Sequence, residues 1–93
     1  MRRIRIVTFR IMPSSVDVNL DSISDKILKE IKTFTKTENF KKELVPVAFG
    51  LKALSIMFVM PEEMGGTDPL EDKIREIEGV ESVEVTDVRR AIG

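Results

Sequence analysis

Leu51-Lys52-Ala53-Leu54-Ser55-Ile56-Met57-Phe58-Val59-Met60 is the stretch whose reading decides the fold. It is almost continuously apolar, yet its longest apolar run, Leu54 to Met60, is interrupted by Ser55 and is too short to span a bilayer. Bounded by Gly50 and Pro61, it reads as a strand covered on both faces or at the centre of a sheet. Just before it, Ala48-Phe49-Gly50 breaks the chain. Lys41 to Val47 holds Leu44, Val45 and Val47 around Pro46, whose missing amide places it at a sheet edge or an irregular strand end. A second strand therefore begins near Phe40 and precedes the central one.

After the central strand, Pro61 and the Gly65-Gly66 pair mark a loop over Glu62 to Thr67. Asp68 then reads as a helix N-cap, with Pro69 at the first helical position and Glu71 three residues after the cap. Leu70, Ile74 and Ile77 line the buried face of this helix, and Gly79 stands where a left-handed C-terminal cap is expected. Val80, Val83, Val85 and Val88, with β-branched Thr86, place a fourth strand around Val83 to Thr86, followed by a basic tail.

Toward the N-terminus, Asn19 can cap a helix beginning at Leu20, because its side-chain oxygen accepts an orphan amide of the first turn. Leu20, Ile23, Ile27, Leu28, Ile31 and Phe34 recur at three- and four-residue spacings and define its core stripe, and Thr33 to Asn39 reads as the loop that follows. Arg3 to Ile11 reads as the first strand, interrupted by Pro13. Ile4 and Ile6 share one side while Val7, Phe9 and Ile11 share the other, so the core face stays open between them, and a bulge would reconcile the two sets. The order strand, helix, strand, strand, helix, strand predicts an α+β, ferredoxin-like βαββαβ fold: a four-stranded antiparallel sheet with two helices on one face. The 93 residues suit a single domain, 1–93.

Composition narrows the chemistry. Fifteen basic residues against 16 acidic ones give a net charge of −1, so no general attraction to nucleic acid or anionic lipid follows. The absence of cysteine excludes disulfides and thiolate chemistry, and the absence of histidine removes the usual neutral-pH acid-base group. Without a signal-peptide pattern or a spanning segment, a soluble cytoplasmic protein is expected. Glu62, Glu63, Glu71, Asp72, Glu76 and Glu78 lie beside Lys73 and Arg75 and read as a solvated surface, with no metal-ligand spacing. Gly65-Gly66-Thr67 is followed by Asp68, which would repel a phosphate. RNA binding through the sheet would need aromatic residues projecting from central strands, but Phe49 and Phe58 are an odd number of residues apart and Phe58 fits the core. An acylphosphatase-like anion loop would need an arginine where Pro13-Ser14-Ser15 stands. Phe49, beside Gly50 at a strand-entry turn, reads equally as core or as an exposed anchor. The same element order also fits a small ACT-like regulatory domain that binds amino acids, but the glycine loops expected near its first strand are missing.

Three segments taken together resemble the elongation factor 1-beta family. They are Pro46-Val47-Ala48-Phe49-Gly50-Leu51-Lys52-Ala53-Leu54, Gly65-Gly66-Thr67-Asp68, and Gly79-Val80-Glu81-Ser82-Val83-Glu84-Val85-Thr86-Asp87-Val88-Arg89-Arg90. Met12-Pro13 followed by Val16-Asp17-Val18-Asn19-Leu20 is similar to the family's first strand and helix entry, and the length matches the stand-alone archaeal form. The resemblance implies a guanine nucleotide exchange factor for the elongation factor 1-alpha GTPase in aminoacyl-tRNA delivery. It implies no covalent catalysis, no cofactor or metal of its own, and no nucleic acid, membrane or small-molecule substrate bound by this chain. It further implies that Phe49 contacts the GTPase, with Ala48 replacing the family's first turn glycine. Lys52 matches a lysine after that turn, while Ala53 replaces a second one. Arg90, with Arg89 beside it, stands where eukaryotic relatives carry a lysine that reaches toward the GTPase magnesium site. A guanidinium is broader and planar, so it does not follow the same route as a slim ammonium by default. Ala91 to Gly93 extend past that point.

Overall fold

A computed structural model describes residues 3–92. The elements are β1 (Arg3–Pro13), α1 (Leu20–Thr35), β2 (Phe40–Pro46), β3 (Lys52–Pro61), a short 3-10 turn (Glu62–Met64), α2 (Asp68–Arg75) and β4 (Val80–Ile92). All strand pairs are antiparallel and their order across the sheet is β2-β3-β1-β4, the ferredoxin-like arrangement expected. The apolar stretch that anchored the sequence reading is β3, a central strand flanked by β2 and β1.

Residues directly opposite on neighbouring strands share a face. Val7, Phe9 and Ile11 of β1 pair with Phe58, Ile56 and Leu54 of β3, and all six are buried beneath the helices. Phe9 and Phe58 meet edge to face with centroids 5.0 Å apart, an arrangement favoured by the ring quadrupoles. Ile4 and Ile6 lie on the other, helix-free face and remain half-buried. The choice between the two sets in β1 is thus made by β3, not by a bulge within β1.

From α1, Ile23, Ile27 and Ile31 complete the core, and α2 contributes Leu70 and Ile74. Asn19 Oδ1 accepts from the amides of Asp21 at 3.0 Å and Ser22 at 3.2 Å, as the capping pattern required. The helix runs to Thr35, three residues into the expected loop, and the Thr33 and Thr35 hydroxyls donate back to the carbonyls of Lys29 and Ile31. Left-handed Lys36, at φ 59°, then caps it.

Three further expectations are corrected. The N-cap of α2 is Thr67, and Asp68 is already inside the helix; Thr67 Oγ1 donates to Glu71 Oε2 at 2.7 Å instead of capping a backbone amide. Gly79 does have φ +98°, but α2 ends at Arg75, so this glycine turns the chain into β4. A Cβ there would sit 2.8 Å from Ile23 Cδ1 and 3.1 Å from Val18 Cγ1. Lastly, β4 reaches Ile92, so the basic segment is a strand paired with β1. Among the described residues no helix is long and apolar enough to cross a membrane.

Candidate functional site

Phe49 occupies the turn between β2 and β3. The Leu51 amide donates to the Ala48 carbonyl at 3.0 Å, and the Val47 amide donates to the Leu51 carbonyl at 2.9 Å. Between them Phe49 and Gly50 have φ of 56° and 77°, the type I′ geometry whose twist suits a hairpin. That geometry favours asparagine and glycine, and a bulky side chain pays about 1–2 kcal/mol to adopt it. The ring is 96% exposed, so no internal packing offsets the strain. Val47 and Val16 are exposed as well, and Val16 borders the turn, its Cγ1 4.0 Å from a Cβ built on Gly50. Lys52, the first residue of β3, is exposed and lines a groove of about 370 Å³ together with Val18, Asn19, Asp21 and Leu44.

Arg89 and Arg90 lie at the other end of the sheet. Arg90 is opposite Arg5, which is itself opposite Met60 of β3. Lys52 lies eight residues back along β3 from Met60, so the two ends are roughly 26 Å apart at ~3.3 Å per residue. The four residues expected to act together therefore form two pairs, one at each end of a body 44 Å long. Gly93, the last residue of the C-terminal extension, lies outside the described residues.

The pairing of β4 with β1 determines which way each arginine faces. Phe9 pairs with Val85 and Thr8 with Asp87, so Thr86 is an extra residue on β4, and its hydroxyl is 3.4 Å from the Thr8 carbonyl it donates to. This β-bulge reverses the phase of β4. Val83 and Val85 share the helix-covered face before it, and Val88 and Arg90 take that face after it. Arg89 falls on the open face, where its Nε donates to Asp87 Oδ2 at 2.9 Å.

Arg90 Nε forms an ion pair with Glu62 Oε1 at 3.3 Å. Arg5 holds the same segment: its Nη2 donates to the Glu62 carbonyl at 3.0 Å and its Nη1 to the Gly65 carbonyl at 2.8 Å. Arg3, Glu62, Arg90 and Ala91 line an opening of about 290 Å³ beside them. Arg5 and Glu62 were not legible as functional residues. Glu62 read as solvated because its partners come from β1 and β4, which are distant in the chain. Glu71 is likewise drawn in, bonded to Thr67 and paired with Arg75.

The helix-free face carries Ile4, Ile6, Thr8 and Arg10 of β1 beside Val59, Met57 and Ser55 of β3. Phe9 and Phe58 are in the core, Phe40 lies opposite Phe58, Phe34 is on α1 and Phe49 is in the turn. No aromatic ring lies on the open face of the described strands, so that face offers no base-stacking platform. Among the described residues, no group of three His, Cys, Asp or Glu could hold a metal.

Residues 6–91 match the family model described as the EF-1 guanine nucleotide exchange domain. The chain is 41% identical over 85 residues to Elongation factor 1-beta of Methanothermobacter thermautotrophicus, covering 91% of this chain and 93% of the relative. It is 41% identical over 91 residues to Elongation factor 1-beta of Hyperthermus butylicus, covering 97% and 96%. Elongation factor 1-beta of Sulfurisphaera tokodaii is 41% identical over 86 residues, covering 91% and 92%.

Proposed function

The chain belongs to the EF-1 guanine nucleotide exchange family and is a nucleotide exchange factor of the elongation factor 1-beta kind; from that premise we propose that it grips the elongation factor 1-alpha GTPase at two separated points. Phe49, with Lys52, forms one contact, and Arg90, with Arg89, forms the other. The observation that carries this reading is Phe49: a strained turn residue, 96% exposed, whose cost within the chain is met by nothing inside it. Strain kept at an exposed aromatic is accounted for if a partner pocket receives the ring, as interface anchors are received.

The exchange itself is linkage. A protein that binds the nucleotide-free GTPase more tightly than the GDP form must weaken GDP by the same factor. No covalent step is required of this chain. Two contacts roughly 26 Å apart along the strands, at ~3.3 Å per residue, span enough of a partner surface to favour one arrangement of that surface over another. Residues 1–93 act as one exchange domain in this reading, in the cytoplasm where aminoacyl-tRNA is delivered, with a protein partner and not nucleic acid.

Stopped-flow release of a fluorescent GDP from elongation factor 1-alpha tests the proposal. Catalytic amounts of the chain accelerate release, and Phe49→Ala and Arg90→Gln each reduce the acceleration. Full activity in both variants would overturn the two-point site while leaving the exchange function standing.

A further inference from the structure

Resting on the reading that Arg90 faces the GTPase, we propose that Glu62 is a positioning residue for that arginine, holding its guanidinium ready before the partner arrives. Arg5 and Arg90 are directly opposite one another in the β1–β4 pair, and like charges at such positions repel. The Glu62 carboxylate offsets that repulsion from the side, 3.3 Å from Arg90 Nε. Arg5 meanwhile donates to the backbone carbonyls of Glu62 and Gly65. One arginine thus fixes the main chain of the residue whose side chain holds the other.

The exposures assign the roles. The Glu62 side chain is 21% exposed and that of Arg90 is 77% exposed, so the carboxylate is the anchored member and the arginine the presented one. The pair uses Nε, and among the described residues Arg90 makes no other ion pair. Its terminal nitrogens remain available to an outside anion, and a planar guanidinium matches a carboxylate or phosphate through two parallel bonds. A long side chain already restrained loses less rotamer freedom when it binds.

The test is a double-mutant cycle on the rate of fluorescent GDP release with the exchange factor well below its half-saturating concentration. Glu62→Gln leaves the Arg5 contacts in place, because both go to backbone carbonyls. It lowers that rate about two- to five-fold, the range of a partly exposed ion pair, and lowers the melting temperature only slightly. In an Arg90→Gln background the same substitution has no further effect. A purely structural role would lower the rate equally in both backgrounds, and that additivity overturns the proposal, as does a wild-type or raised rate for Glu62→Gln alone. If Arg90→Gln itself matches the wild type, the reading of Arg90 falls and the proposal with it. An impaired Arg90→Gln beside an unimpaired Glu62→Gln overturns the positioning role alone.

Discussion

Phe49 and Gly50 are consecutive residues in the left-handed region, at φ 56° and 77°, and together they form the turn that joins β2 to β3. Gly50 adopts this conformation without cost, whereas Phe49 does so against the clash between its Cβ and the following carbonyl. Stability and binding therefore have opposite requirements at this position.

Phe49→Asn separates them. Asparagine is at home at the first central position of a type I′ turn, so the variant gains about 1 kcal/mol and melts about 4–8 °C higher. Its half-saturating concentration in the GDP-release assay rises about ten-fold or more, as for an interface anchor. Melting followed by circular dichroism provides the first number; a lower melting temperature would show that the turn is not strained by its aromatic residue.

Arg89 and Arg90 belong to a strand, and that changes how they should be tested. Residues Arg89 to Ile92 pair with Ile6 to Arg3, so removing the chain from Arg89 onward strips backbone hydrogen bonds from β1 and costs about 2–4 kcal/mol. Arg89→Gln and Arg90→Gln change stability by no more than about 0.5 kcal/mol, as exposed side chains do. Urea denaturation of the truncation beside the point variants measures the difference. A truncation as stable as the wild type would mean that the end of β4 contributes no pairing energy.

Gly79→Ala destabilises the fold by about 1–3 kcal/mol, through positive φ together with crowding against Val18 and Ile23. The Ser14 amide also donates to the Gly79 carbonyl at 2.9 Å, so the turn cannot swing away without losing that bond. Equilibrium denaturation checks this.

Phe9→Ala costs about 3–5 kcal/mol, because it empties a fully buried site and removes the edge-to-face partner of Phe58. A chain of this size has about 5–15 kcal/mol to lose, so the variant is marginal at 37 °C. A drop in urea midpoint comparable to that of an exposed substitution would contradict the packing described.

These outcomes follow from features of unequal visibility in the sequence. The α1 helix was legible because its cap and apolar stripe are local: Asn19 and the residues it serves are two and three positions apart. β3 was legible from its apolar continuity. The core face of β1 was not, since Ile4 and Ile6 are as apolar as Val7 and Phe9, and only the pairing with β3 selects one set. The capping pattern at α2 fell one residue late because Thr67 and Asp68 are both competent caps. At the site, Phe49 and the arginines were visible as residue types, but their separation to opposite ends required the register of the sheet. Glu62 read as solvated because its two arginine partners come from opposite ends of the chain.

The extra residue at Thr86 acts as a parity device. Two arginines stand side by side, and the chain must offer one of them to Glu62. With Thr86 taken into regular pairing, every later residue would move one step along β1, Arg89 would come opposite Arg5, and Arg90 would turn to the open face. The sheet thus distinguishes two identical neighbours by counting, so a lineage could exchange their duties without altering either arginine, simply by gaining or losing an irregularity upstream.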